Sequence, residues 1–223
     1  IFTFTIGKAQ TPLQCKSSYN WHFGNKAAVA FNGNSPLPAT VNNGQITPFF
    51  MGEGCASASD VNGNLLFYTN GTRVWDASNA TMQNGNGLAG NGQYSAAQAA
   101  LIVPKPLSNN IYYIFTVKDW ATGPNYAGVG LDYSIVNMNN AGNGTNLNPL
   151  GNVTNKNVPV NHHVKEQVTA VYHSNCKDIW IISHETNLNK YVAYLLTDAG
   201  LQTNPVISNI GMQYPGSNRF GGL

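Results

Sequence analysis

The chain has 223 residues, of which 42% are apolar and only 9% charged, with a net charge of +2; ordinary soluble domains carry about 25% charged residues. Arg73 and Arg219 are the sole arginines, so the clustered cations that nucleic acid requires are missing and that partner is excluded. No stretch approaches the roughly 18 consecutive apolar residues of a membrane span, and the length suffices for one large β domain with a real core.

The opening residues, IFTFTIGKAQ, run apolar from Ile1 to Ile6 and then place Gly7 and Ala9 three before and one before a cut preceding Gln10. This pattern reads as the end of a secretory signal peptide over 1–9, in preference to an N-terminal strand, and leaves 10–223 as the folded region. The positively charged start of such a leader is missing, which suits a chain that begins inside a longer precursor. Cys15, Cys55 and Cys176 form an odd set; an exported protein can pair two and leave one free, and sequence does not choose the pair. Cys55, among the small residues of GCASAS, reads as a buried, inert thiol. No Cys-x-x-Cys spacing occurs, so no zinc ribbon or thioredoxin-type site is indicated.

From residue 55 onward one order recurs three times: an apolar strand, a short polar turn, a nearly unbroken apolar strand, a loop and a third strand. The copies are GCASASDVNGNLLFYTNGTRVWD, then ALIVPKPLSNNIYYIFTV with GLDYSIVNM, then VTAVYHSNCKDIWIISHE with KYVAYLLTD. In the first copy, Asn62-Gly63 and Asn70-Gly71 predict two-residue hairpins, because both central positions accept positive φ. They divide it into strands Cys55 to Val61, Asn64 to Thr69 and Thr72 to Asp76. Asn109-Asn110 and Lys177-Asp178 fill the first turn of the later copies. The middle strands LLFY, IYYIF and IWII do not alternate. A strand with one wet face alternates; one covered on both faces need not. Antiparallel meanders achieve that coverage when each small sheet is sandwiched between neighbours, as in the blades of a propeller.

Aligned on Leu65, Ile111 and Ile179, the copies lie 46 and 68 residues apart. The first spacing matches a blade of about 40–50 residues, and the second is stretched by an insertion rich in Gly and Asn around NNAGNGTNLNPLGNVTNKN. The predicted fold is therefore all-β, a partial WD-repeat-like β-propeller of about three to four antiparallel blades and a fragment of a larger one, preferred over a β-sandwich. An unfinished array leaves an apolar face open, so 10–223 alone is expected to be poorly soluble.

The segments NWHFGNKAAVAFN, EGCASASDVNGNLLFYTNGTRVWD, MQNGNGLAGN, ALIVPKPLSNNIYYIFTV, YSIVNMNN, EQVTAVYHSNCKDIWIISHE and YVAYLLTDAGLQTNPVISNIG follow one another from Trp21 to Gly211. In order and spacing they resemble the N-terminal region of large secreted proteins of gliding Gram-negative bacteria. Those proteins often carry PKD-type modules and a gliding-motility-associated C-terminal sorting domain. The resemblance implies a WD-repeat-like propeller, Sec export and type IX secretion to the cell surface. It attaches no enzyme activity to motif residues. Ala30 stands where an acidic residue is expected and Arg73 is inserted before Val74, and neither change removes a catalytic group.

Candidate residues are few. Asp60, Asp76, Asp178 and Asp198 fall at turns or strand ends, where carboxylates bond to nearby backbone. A glycosidase needs two carboxyl groups facing one another across a cleft; Glu185 and Asp119 both follow middle strands and so could share a rim, but they are not read as a catalytic pair. SDVNGN, from Ser59 to Asn64, resembles an Asp-box turn or the start of a calcium loop and reads as a hairpin turn. His162 and His163, adjacent on a strand, point to opposite faces, and with His173 and His184 they form no compact zinc pattern. His184, recurrent in the resembling proteins, reads as packing or a hydrogen bond to a neighbouring blade. Trp180 reads as core, and Trp75 as packed against the next blade.

Trp120 and Tyr126, in KDWATGPNYAG, are the loop aromatics suited to stacking on a sugar ring or anchoring a protein. The expected binding residues are thus Trp120, Tyr126, His184 and Glu185, with no catalytic residue, metal or cofactor. The expected function is a non-catalytic propeller scaffold of an exported surface protein, engaged in adhesion or in binding a glycan or protein. Its remaining blades and downstream modules would come from the same precursor. The alternative is a carbohydrate-active, glycosidase-like propeller whose site is completed by further blades.

Overall fold

The computed structural model describes residues 18–31, 39–41, 44–46, 54–90, 98–118, 130–185 and 188–211. They are all-β, with no α-helix among them. The strands form antiparallel meanders in chain order. The first comprises β1 (Asn20–His22), β2 (Ala28–Ala30) and β3 (Ala39–Val41). The second comprises β4 (Ala56–Ser59), β5 (Leu65–Thr69), β6 (Arg73–Asp76) and β7 (Thr81–Asn86). The third comprises β8 (Ala100–Pro104), β9 (Ile111–Val117), β10 (Leu131–Asn137) and β11 (Asn152–Asn161). The fourth holds β12 (Val164–Tyr172), β13 (Ile179–Glu185), β14 (Tyr191–Thr197) and β15 (Gly200–Leu201), with β16 (Val206–Ser208) also paired to β14.

The second and third meanders join into one eight-stranded sheet, because β7 and β11 pair in parallel through Gln83 and Asn152. At the opposite end β4 and β8 also come into contact. Three glycines make that approach possible by packing on Ala99. A Cβ on Gly54 would sit 2.0 Å from the Ala99 nitrogen, and one on Gly71 or Gly90 within 2.9 Å of its carbonyl oxygen. The eight strands therefore nearly close on themselves, in a barrel-like arrangement.

Alternation along β9 explains its unbroken apolar run. Tyr112 and Ile114 face back into a cluster with Phe67, Val74 and Met82 of the second meander. Tyr113, Phe115 and Val117 face forward into a cluster with Val168, Ile181, Val192 and Leu196 of the fourth. Both faces are dry, as the non-alternating pattern requires. In β13 the expectation holds on one face only. Ile179 and Ile181 are buried against the third meander, whereas Trp180 and Ile182 are half-buried on the outer side, so Trp180 is not a core residue.

Other details differ from the sequence reading. Each full meander has a fourth strand that the apolar pattern does not show. β11 occupies part of the segment read as an insertion, and it is polar because only Val153 is fully buried, with Val160 partly buried against the forward core and the other side chains partly or fully exposed. At the two hairpins only Gly63 (φ 90°) and Gly71 (φ 83°) enter the left-handed region. Asn70 instead uses its side-chain oxygen to accept from the Thr72 and Arg73 amides, so the turn is tied by a side chain rather than by two left-handed residues. Asp60 accepts from the Asn62 and Asn64 amides in the same manner, which accounts for SDVNGN as a turn. Trp75 stacks on Tyr68 (ring centroids 5.4 Å apart) in a cluster with Ile46. It therefore packs back toward the first meander, not onto the next.

Neighbouring substitutions test the coverage. In urea denaturation, Ile114→Ala and Phe115→Ala are each expected to cost about 2–5 kcal/mol although they point in opposite directions. In β13, Ile181→Ala should cost a similar amount and Ile182→Ala clearly less.

Candidate functional site

Trp120 and Tyr126, like Asp119, Cys15 and the 1–9 segment, lie outside the described residues. His184 and Glu185 are placed together at the end of β13, but they are occupied structurally. The His184 ring is 2% exposed and meets Tyr191 edge-on at 4.6 Å, within its own sheet. Glu185 closes the β13–β14 connection: its amide donates to the Lys190 carbonyl at 2.9 Å and its Oε2 pairs with Lys190 Nζ at 2.8 Å. Its Oε1 accepts from Asn161 Nδ2 at 3.1 Å, and the same amide group donates to the Tyr194 hydroxyl. Burial alone would raise the Glu185 carboxyl, but the hydrogen bonds from Lys190 and Asn161 and the charges of Lys190 and His163 outweigh it and hold the group below the ordinary carboxylate range. A carboxylate kept ionised in this way is a pin between the third and fourth meanders and a poor proton donor.

The histidines stay apart. His162 and His163 fall in the turn between β11 and β12, both exposed, rather than on a strand. Among the described residues no three His, Cys, Asp or Glu side chains come together as metal ligands would. Cys55 is half-buried, with burial pushing its thiol up, and Cys176 is exposed in a turn; both are free.

A cleft of about 420 Å³ opens elsewhere, where β1, β4 and β8 meet. Trp21, His22 and Phe23 line it from β1 and the residue after it, Cys55 and Ser57 from β4 and its approach, and Leu101 from β8. Local structure explains the arrangement. β1 alternates Asn20 in, Trp21 out, His22 in. Inward, Asn20 bonds to Ser59 Oγ at 3.0 Å and to the Gly63 carbonyl at 2.8 Å, locking β1 to the second meander. Ser57 Oγ accepts from the His22 amide at 2.9 Å. Outward, the Trp21 indole N–H donates to the Ser18 carbonyl at 2.7 Å, and the ring has edge contacts with Phe31 (5.5 Å) and Phe23 (6.1 Å). The indole is pinned yet 48% exposed.

His22 is the unusual member. Its ring is 4% exposed and stacks on Tyr68 at 4.1 Å, and neither ring nitrogen has a hydrogen-bond partner among the described residues. Burial pulls its pKa down to about 4 and pushes the Tyr68 hydroxyl up to about 12. At neutral pH the cleft is therefore an uncharged, aromatic and hydroxyl-lined surface. It can stack on a ring and exchange hydrogen bonds, but no described lining residue carries a formal charge there. The sequence signal was the outward pair Trp21 and Phe23 flanking an inward His22, a period-2 pattern with its aromatic side facing solvent.

No protein-family model matches this chain, and neither does any curated protein or solved structure.

His22 gives folding a specific pH dependence. Its folded-state pKa lies below the ordinary 6.5, so the unfolded chain binds the proton more readily and protonation favours unfolding. The stability associated with the neutral ring is present above pH 6.5 and is lost as pH falls toward 4, by up to about 3 kcal/mol. Denaturant titrations between those values should show the loss, and His22→Phe should flatten it. Glu185, ordinarily titrating at 4.5 and held lower here, adds its own loss of stability only from about pH 4.5 downward, overlapping the acid end of that window.

Proposed function

We propose that this chain is a non-catalytic, β-propeller-type scaffold of an exported surface protein that binds a glycan or protein partner through uncharged aromatic contacts. The carrying observation is the double coverage of β9, by the second meander on one face and by the fourth on the other, which is the packing expected of successive blades. A radial arrangement is further supported by the first strands of successive meanders, since β1 touches β4, β4 touches β8 and β8 touches β12. The cleft lined by Trp21 and Phe23 lies among those first strands, where a propeller's axis would run. Export is supported by the small-residue pattern at Gly7 and Ala9, by the amide- and hydroxyl-rich, weakly charged composition, and by the resemblance to secreted gliding-motility-associated proteins.

The choice of ligand class follows from the cleft. An exposed, pinned indole beside phenyl rings and serine hydroxyls suits a neutral sugar ring, which offers C–H groups to the aromatic face and hydroxyls to the polar rim. Catalysis on that sugar finds no support at Glu185, whose proton is held off by Lys190 and Asn161.

A glycan array and a hydrolysis screen on the full chain test this reading together. Binding without turnover is expected, with Trp21→Ala weakening it by about tenfold or more, the scale of about 1–2 kcal/mol for a lost aromatic contact. Turnover that disappears in Glu185→Gln would overturn the scaffold reading in favour of a glycosidase.

A further inference from the structure

Lys190, Glu185 and Asn161 meet in an arrangement that ion pairing alone does not require. The two oxygens of one carboxylate hold different partners: Oε2 takes Lys190 Nζ at 2.8 Å, and Oε1 accepts from Asn161 Nδ2 at 3.1 Å. An amine and a carboxamide are thus held on either side of a group able to carry protons between them. The amide is fixed as well. Its Oδ1 accepts from the His163 backbone N–H at 2.8 Å, and its Nδ2 donates a second bond to the Tyr194 hydroxyl at 3.1 Å. Oxygen and nitrogen are therefore told apart by their partners.

Apolar packing surrounds the group. Across the sheets, Asn161 pairs with Leu131 and Glu185 with Val164, both buried, and Tyr194 is buried too. The Lys190 side chain is 26% exposed, which leaves a small product a way out to water. A second lysine–asparagine contact lacks these features. Lys156 Nζ reaches Asn84 Oδ1 at 3.2 Å on the exposed surface, with no carboxylate bonded to either among the described residues.

An amine, a carboxamide, a carboxylate bonded to both and a backbone N–H on the carbonyl oxygen are the parts of an amide transfer. We propose that Lys190 and Asn161 join through a side-chain amide bond, with Glu185 as the catalytic proton carrier. Glu185 takes a proton from the Lys190 ammonium, and the freed lone pair of Nζ forms a bond to Asn161 Cγ. The carbonyl electron pair moves to Oδ1, where the His163 N–H stabilises it. Glu185 delivers its proton to Nδ2, the Cγ–Nδ2 bond breaks and ammonia leaves. A second proton passes from Nζ through Glu185 to that ammonia. An ammonium and a carboxamide thus become a substituted amide and an ammonium ion, with no oxidant or reductant. The carboxylate that is a poor acid toward a sugar starts in the right form for this role, as a base. The bond ties the end of β11 to the start of β14, in a chain whose described cysteines are both free. It forms once per chain, without turnover, and is independent of the cleft at Trp21.

Tryptic mapping of the folded full chain by mass spectrometry tests it. Joining removes the cut after Lys190 and fuses segment 157–165, which holds Asn161, to segment 178–219. The fused species should be lighter than those two segments together by one ammonia. Ammonia lost at an Asn-Gly pair would lower the intact mass equally but would not fuse the segments. Glu185→Gln, checked for folding by circular dichroism, should form the fused species about a hundredfold more slowly or worse. Lys190→Arg keeps the positive charge beside Glu185 and should abolish it in a folded chain. A folded wild type that yields only separate segments through days of incubation overturns the proposal and leaves Lys190 and Glu185 as an ion pair alone. A fused species that forms as fast in Glu185→Gln also overturns it. Either failure leaves glycan binding at Trp21 to stand or fall on its own test.

Discussion

The structure depends on one constraint: the apolar residues of β9 point both ways, and both directions must be kept from water. A flat sheet cannot meet that requirement, so the eight-stranded sheet curls until its second meander covers one face of the third, and the fourth meander covers the other. Tyr112 and Ile114 bring in the second meander, and Tyr113, Phe115 and Val117 bring in the fourth. The order of sheets in space then follows their order in the chain. The clusters and the near closure of the eight-stranded sheet follow from this one demand.

Uncharged polar chemistry supplies the connections that apolar packing does not. The outer edges of the second and third meanders are laced by asparagine: Asn84 Nδ2 donates to the Val153 carbonyl at 2.8 Å, Asn157 Nδ2 donates to the Gly87 carbonyl at 2.9 Å, and Asn157 Oδ1 accepts from the Ala89 amide at 2.8 Å. Lys156 adds a bond to the Asn86 carbonyl at 2.8 Å. An amide side chain can donate and accept at once, so it can bridge two strand edges that pair directly at only one position. The low charge content and the high asparagine content are thus two sides of the same design.

The candidate residues were legible in type more often than in place. Asp60, Asp76, Asp178 and Asp198 are where turn chemistry puts them, each bonded to nearby groups or, for Asp198, paired with Lys177. Glu185 was identified, but its tie to Lys190 across the connection and to Asn161 from the neighbouring meander brings together groups far apart in the chain. The cleft at Trp21 and His22 was not identified, because its walls come from β1, β4 and β8, and no local pattern reports that those three strands meet. Trp75 illustrates the same limit: its burial followed from its type, its direction of packing did not.

The amino-acid sequence alone determined that this is a β protein of repeated meanders and that β9 is covered on both faces, because side-chain alternation and turn chemistry act over a few residues. It also determined the weakly charged surface, since composition survives any fold. Only the tertiary structure decided that β7 and β11 join two meanders edge to edge, that polar β11 is a strand at all, and that Trp180 is half-buried on an outer face while its counterpart positions in β9 are sealed. These depend on which element comes to lie alongside which, a matter of packing between distant segments that no stretch of chain records by itself.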